Sequence, residues 1–351
     1  MNKQINIDGL VRDNIRNLKP YRSARDDFDK GILLDANENS FGAPFEDNFE
    51  LNRYPMPYQE ELREHIAAFR KVNRENVFVG VGSDEAIDLL FRIFCNPGKD
   101  RVIINPPTYG MYKVSANIND VAVDEVLLTE GFQLQPEKIL AAVQPNTKII
   151  FICSPNNPTA NSMNISDVVK VLEGFEGMVV VDEAYIDFSR QGSLANNLAD
   201  FSNLVVLQTL SKSFGLAGIR LGIAMANPEV ISYMMKVKAP YNVNKLTSRT
   251  AIQAFSNMEN IIKNINSILE ERQRVIDKLI TYDAVEYVYP TDANFVLFKI
   301  QNAVDIYKKI AEEGVIIRYR GNEPHCEDCL RLTIGTQSEN DRFFKALEKI
   351  V

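Results

Sequence analysis

Four short apolar runs, each cut off by polar or turn-forming residues, constrain the fold of this chain most. They are Val77-Phe-Val79, Lys148-Ile-Ile-Phe-Ile-Cys153, Met178-Val-Val-Val181 and Leu204-Val-Val-Leu207. Runs of this length, rich in β-branched residues, read as strands buried on both faces, the pattern of a parallel sheet. Helical patterns such as Ser83–Phe94 and Ser166–Leu172 alternate with them, and that alternation marks an α/β domain. Open α/β sheets bind ligands beyond the carboxyl ends of their strands. The residues just past each run are therefore the candidates for function.

Past Leu207 comes Thr209-Leu-Ser-Lys-Ser-Phe-Gly-Leu-Ala-Gly-Ile-Arg220, with Gly215 and Gly218 marking a tight loop and a further apolar run from Ile219 to Ala226. A lysine at a strand end, Lys212, costs free energy unless it is paired or chemically used. Lysine also forms Schiff bases when its pKa falls. Arg220 carries a planar fork that suits a phosphate. Both residues read equally as ordinary cations of a surface loop. Past Val181 comes Asp182-Glu-Ala-Tyr185. Asp182 can pair with a protonated pyridine nitrogen or cap a helix, and Tyr185 can reach the same ligand. Past Cys153 comes Ser154-Pro-Asn-Asn-Pro-Thr159, which forces a turn. The amide of Asn157 can donate to a phenolate oxygen there, or simply belong to the turn. Past Val79 comes Gly80-Val-Gly-Ser-Asp-Glu85. A glycine-rich turn feeding a helix presents free N–H groups to a phosphate, with Ser83 and Asp84 as first donors, and it also reads as a plain N-cap.

Taken in order and spacing, these segments resemble the pyridoxal-phosphate aminotransferases of fold type I, and among them the histidinol-phosphate aminotransferases. Leu51-Asn-Arg-Tyr-Pro55, Pro106-Pro-Thr-Tyr-Gly-Met-Tyr112, Cys329-Leu-Arg-Leu-Thr-Ile-Gly335, Lys19-Pro-Tyr-Arg-Ser-Ala-Arg25 and Asp35-Ala-Asn-Glu38 add to the likeness, which spans nearly the whole chain. Ala160 departs from it, since the family usually has glycine after Pro-Thr; Arg320 to Asp328 has no match in detail. The resemblance implies a large domain with a mostly parallel sheet flanked by helices, a small α+β C-terminal domain and an N-terminal arm. It implies pyridoxal 5′-phosphate on Lys212, with Asp182 on the ring nitrogen, and Asn157 and Tyr185 on the phenolic oxygen. Arg220, Ser211, Thr209, Ser83 and Asp84, with Glu85 beside them, would hold the phosphate, and Tyr109 would stack on the ring. Tyr54 would reach the cofactor of a neighbouring subunit, which makes a homodimer. Arg331 would take the glutamate carboxylate, Arg318 would help hold a substrate phosphate, and Tyr21, Asn37 and Asn294 would line the pocket. The implied reaction is transamination between L-histidinol phosphate and 2-oxoglutarate. A broad aromatic aminotransferase and a threonine-phosphate decarboxylase are the alternatives.

Length and composition agree with such an enzyme. The chain has 351 residues, more than one ordinary core accommodates. We expect an arm over 1–40, a large domain over 41–245, a linking helix over 246–280 and a small domain over 281–351. Within the last, strands are expected at Val315–Ile317 and Leu330–Ile334, and helices at Ala303–Glu313 and Glu339–Ile350. A net charge of −8 argues against nucleic acid as a partner. A pyridoxal-binding regulator fused to a DNA-binding module has no room before residue 40. No apolar run approaches the ~20 residues that span a bilayer, and Met1-Asn-Lys-Gln-Ile carries no signal-peptide core, so a cytoplasmic enzyme is expected. His325-Cys326-Glu-Asp-Cys329 lacks the second ligand pair of a structural zinc site and reads as a loop, so no metal is expected.

Overall fold

A computed structural model describes residues 3–27, 31–32, 34–46 and 48–351. Parts of the expected arm, residues 1, 2, 28–30 and 33, lie outside the described residues. Seven strands form the main sheet: β1 (Val77–Val81), β2 (Arg101–Ile104), β3 (Ala122–Glu125), β4 (Thr147–Cys153), β5 (Met178–Asp182), β6 (Leu204–Thr209) and β7 (Leu221–Ala226). Their spatial order is β1-β7-β6-β5-β4-β2-β3. β2 to β6 pair in parallel. β7 runs antiparallel to both its neighbours, so β1 points the same way as β6. The carboxyl ends of all strands but β7 therefore share one edge, and the amino end of β7 joins them there. The sequence reading had the mostly parallel sheet but not this reversed strand.

Side chains leave a strand alternately to its two faces, and each face has its own core. Ile150, Ile152, Val179, Val181 and Val206 pack on one side with Leu62 and Ile66 of the Glu60–Arg70 helix and Val168, Val171 and Leu172 of the Ile165–Gly174 helix. Ile149, Phe151, Val180 and Val205 pack on the other with Ile87, Leu90 and Phe91 of the Gly82–Phe94 helix. The sheet is buried on both faces, as its unbroken apolar runs require.

The helical pattern expected from Thr247 to Ile280 is two helices, Lys245–Phe255 and Met258–Leu279. Ser256 Oγ donates to the Ile252 carbonyl and Asn257 Nδ2 to the Gln253 carbonyl. Short polar side chains take backbone acceptors this way and interrupt a helix without glycine or proline. Beyond the break lies a second sheet, β8 (Val285–Val288), β9 (Phe295–Ile300), β10 (Arg318–Tyr319) and β11 (Cys329–Thr333), ordered β10-β11-β9-β8. Its core contains Phe298, Leu330, Phe343 and Phe344. Val315–Ile317, expected as a strand, is not one. Gly314 (φ 80°) turns the chain out of the Ala303–Glu312 helix and Val315 N–H donates back to the Ile310 carbonyl, a helix-ending bond. Sheet pairing starts at Arg318 instead.

Ala160, where the family usually carries glycine, has φ 71°. That costs a non-glycine residue about 1–2 kcal/mol. Its methyl is wholly buried against Tyr185, Phe188, Ala293 and Phe295, and burying a methyl returns about 0.8 kcal/mol. The two nearly cancel, which is why alanine is tolerated.

Gly222 sets how closely β7 can approach the Gly82–Phe94 helix. A Cβ there would stand 2.0 Å from the Gly82 carbonyl carbon and 2.1 Å from Ser83 N, and backbone cannot swing aside as a side-chain end can. We expect Gly222→Ala to lose about 1–3 kcal/mol in urea unfolding. Gly218→Ala, whose Cβ meets nothing within 4 Å, should stay within about 0.5 kcal/mol. Equal effects for the pair would refute the steric argument.

Candidate active site

The strand-end edge opens into a cavity of about 440 Å³. Asp182 closes β5 at its floor, Lys212 follows β6, and Arg220 precedes β7. Asn157 comes from the turn after β4, and Ser83 and Asp84 from the helix after β1. Tyr109, Tyr185, Thr209, Ser211, Arg318 and Arg331 line it too. One cavity thus collects residues spread from 82 to 331.

Asp182 is fully enclosed. Tyr112 Oη donates to its Oδ2 at 2.8 Å and Ala184 N–H to its Oδ1 at 3.1 Å. Burial pushes its carboxyl up to about 6, against the pull of those two bonds. Glu183 points the other way and binds Ser193, Leu194 N–H and Gln208, so the pair serves two different networks. Lys212 is pushed below the ordinary lysine value, first by burial and then by the Arg331 charge. Its Nζ lies 5.5 Å from the Tyr185 ring centre. The next residue pins its loop: Ser213 Oγ donates to Asp187, which also pairs with Arg70 at 2.7 Å.

The wall at Gly82 is a cradle for an anion. Gly82 sits at φ 73°, and a Cβ on it would meet Arg220 Nη2 at 2.8 Å. No side chain caps the helix that starts there; Gly82 N–H donates to the Arg220 carbonyl at 2.9 Å, and the next amides, of Ser83 and Asp84, stay free for a ligand. Thr209 Oγ1 is already bonded to the Leu221 carbonyl at 3.0 Å and to Ser211 Oγ at 2.9 Å. Tyr109 Oη donates to Asp84 at 3.1 Å. On the opposite wall Arg331 Nη1 donates to Asn157 Oδ1, which turns the NH₂ of that amide away from the arginine.

The model of the family "Aminotransferase class I and II" matches residues 29–347. The chain belongs to the class I and II aminotransferases. A histidinol-phosphate aminotransferase of Flavobacterium johnsoniae is 50% identical over 347 residues, 97% of this chain and 98% of that protein. The structure of the histidinol-phosphate aminotransferase from Clostridium acetobutylicum superposes with a TM-score of 0.79 at 25% identity, covering 86% of this chain and 91% of that one. The Sinorhizobium meliloti enzyme, solved in complex with pyridoxal-5′-phosphate, shares the fold at 20% identity with a TM-score of 0.77 and 90% of each chain covered.

The residues of this aminotransferase fit the class's cofactor. The Gly82 cradle has room for a phosphate that a Cβ would deny, a desolvated lysine faces the cavity, and an enclosed carboxylate lies at its floor. Some expected site residues lie elsewhere. Glu85 accepts from Val81 N–H and Asn242 Nδ2 and does not line the cavity. Tyr21, Asn37 and Tyr54 line other surface hollows, and Asn294 is outside the cavity lining too. Tyr54 stacks on Tyr241 at 4.7 Å and its N–H, with Arg25 and Arg53, binds Glu38. Burial opposes the Glu38 charge, but those bonds hold its carboxyl down at about 2.

Sequence reasoning missed Tyr112, Arg320 and the Asp187 anchor. Tyr112 ends the segment Pro106–Tyr112, whose sequence assigns it no role, and Arg320 opens the segment 320–328, which has no match in detail.

The Asp182 carboxyl gives a pH test. Its ordinary value is 3.8, and burial raises it to about 6. Below 3.8 both folded and unfolded chains hold the proton and there is no penalty. The penalty grows as pH rises and is complete above about 6, where it reaches about 3 kcal/mol. Cofactor-free Asp182→Asn should therefore out-stabilise the cofactor-free parent by about that amount at pH 8, and by roughly half of it at pH 5. Urea midpoints across pH decide; a gain that ignores pH would show that the carboxylate carries no such penalty.

Proposed function

We propose that this aminotransferase exchanges an amino group between L-histidinol phosphate and 2-oxoglutarate. In the biosynthetic direction imidazole-acetol phosphate receives the amino group of glutamate, a step of histidine biosynthesis. The observation that carries the reading is a desolvated Lys212 sharing one cavity with an enclosed carboxylate and the guanidinia of Arg318 and Arg331. The near-full-length likeness to histidinol-phosphate aminotransferases supports the choice of substrate.

Pyridoxal 5′-phosphate supplies an aldehyde that takes up amines and a ring that accepts electrons. Lys212 would hold it, and its Nζ would move a proton at the substrate carbon that bears the amine. Asp182 keeps the ring nitrogen protonated. Tyr112 fixes that carboxylate through its 2.8 Å bond. Asn157 turns its NH₂, and Tyr185 its hydroxyl, to the ring oxygen; the bond from Arg331 to Asn157 Oδ1 favours that orientation. Arg220, the Ser211 hydroxyl and the amides of Ser83 and Asp84 hold the phosphate, and Thr209 supports Ser211. Tyr109 covers the ring face. Arg331 takes the carboxylate of glutamate, and Arg318 joins it for a phosphate.

The working form is a homodimer in the cytoplasm. Tyr54, 49% exposed and outside the lining of its own cavity, would reach the cofactor of the second subunit, with Tyr21 and Asn37 beside it. Phe41 (100% exposed), Ile32 (89%) and Leu34 (79%) near the arm offer the apolar surface such contact buries. No described helix is long and apolar enough to cross a membrane.

Glutamate formation from histidinol phosphate and 2-oxoglutarate tests the reading; carbon dioxide release from threonine phosphate in its place would move it to a decarboxylase. Lys212→Ala should cut turnover by at least about 10²–10⁴-fold, the share of one positioned acid–base group. Borohydride reduction followed by peptide mapping should label Lys212, and a label elsewhere would overturn its role. Arg318→Ala should raise KM about 10- to 100-fold for histidinol phosphate, the loss of one charge-assisted contact, and hardly for glutamate. An equal rise for both would leave Arg318 with a structural role only.

A further inference from the structure

β10 and β11 set three guanidinium groups on one face of a hairpin. Arg318 lies directly opposite Arg331 in the antiparallel register. Arg320, two residues past Arg318, falls on the same side by the period of a strand, and its N–H still pairs with the Cys329 carbonyl at 2.9 Å. All three line the cavity. Like charges opposite one another destabilise a sheet. Among the described residues the three share a single ion pair, Arg320 Nη1 to Glu323 Oε1, at 3.9 Å. That is too long to satisfy a guanidinium.

The Arg320 side chain is 20% exposed, and its Nε is buried without a hydrogen-bond partner. Arg331 Nε is in the same condition. A buried unpaired donor costs about 1–3 kcal/mol. Among the described residues no hydrogen bond repays this at either Nε. The loop carrying Arg320 is rigid: Glu323 N–H bonds the Arg320 carbonyl, Cys326 N–H the Glu323 carbonyl and Cys329 N–H the Cys326 carbonyl, at 3.0, 3.1 and 2.9 Å. Cys326 and Cys329 anchor it in the apolar core. The backbone that carries the guanidinium is therefore held in place before any ligand arrives, which favours binding.

A carboxylate offers two oxygens and one charge, which a single arginine fork can pair bidentately. A phosphate monoester offers three terminal oxygens and nearly two charges at neutral pH. We infer that Arg320 is a third guanidinium contact for a phosphate monoester dianion in this cavity, and that it sets the preference of the pocket for such a dianion over a carboxylate. The identity of that dianion as substrate rests on the proposed function; the contact itself does not.

Two measurements on holoenzymes test this, with wild type, Arg320→Ala and Arg320→Lys. Calorimetry reads the binding of inorganic phosphate. Half-reaction kinetics read histidinol phosphate and glutamate separately. In Arg320→Ala, phosphate affinity should fall and KM for histidinol phosphate should rise about 10- to 100-fold, while the glutamate half-reaction stays within about threefold. Arg320→Lys should fall between, because it restores charge without the fork. Unchanged phosphate binding in both variants, or equal losses for glutamate and histidinol phosphate, overturns the inference. If wild type fails to turn over histidinol phosphate while its phosphate binding still depends on Arg320, the proposed substrate is wrong and the anion contact stands.

Discussion

Asp182 ends a strand at the middle of the main sheet with two hydrogen bonds and, among the described residues, no ion pair. The sheet on either side, Phe151 beneath Tyr112 (ring centres 4.9 Å apart) and the thiol of Cys153 enclose it, and burial is the largest influence on its proton. Such a charge is expensive in a fold that gains nothing from it. Everything else in the cavity makes sense around it. The two donors keep the carboxylate oriented, and the cations stand at the walls and not in contact with it. A ligand bearing a protonated nitrogen would complete what the protein leaves incomplete.

The reversed strand is the second constraint. Arg220 precedes β7, so in an all-parallel sheet it would sit at the opposite edge from Lys212. Running β7 backwards brings residue 220 to the same edge. It also brings Gly222 against Gly82 and Ser83, closer than any side chain permits, and Gly82 N–H then bonds the Arg220 carbonyl at 2.9 Å. The anion cradle is thus a backbone device, with the helix amides on one side and the arginine on the other. Gly222 is needed because a Cβ would strike backbone, and Gly82 because its φ of 73° is one that side chains rarely adopt; neither has a side chain to take part in chemistry.

This division explains what was legible in the sequence. Lys212, Asp182, Asn157, Ser83 and Asp84 could be picked out because each follows an apolar run, and strand ends converge in such a sheet. The run from Ile219 to Ala226 was equally plain, but nothing in it tells direction. Tyr112 and the Arg70–Asp187–Ser213 set escaped because their meaning lies in pairings between residues 26 to 117 positions apart, which local pattern does not encode. The break at Ser256-Asn257 escaped for the opposite reason: it is made by two local side-chain bonds with no glycine or proline to announce it. Tyr21, Asn37 and Tyr54 were tied to the site by resemblance alone, and none of them lines the cavity.

The hairpin arginines also act on the lysine they face. Burial lowers the proton affinity of Lys212, and the Arg331 charge lowers it further; Arg320 and Arg318 in turn press on Arg331. An anion lodged among these guanidinia would offset their field and raise the proton affinity of a free Lys212 amine again. On the proposed roles, filling the anion pocket and strengthening the base are then one electrostatic event. A substrate lacking the anion would be held more weakly and would meet a poorer base. The like-charge cluster that burdens the empty hairpin therefore serves the bound state twice, in affinity and in proton transfer.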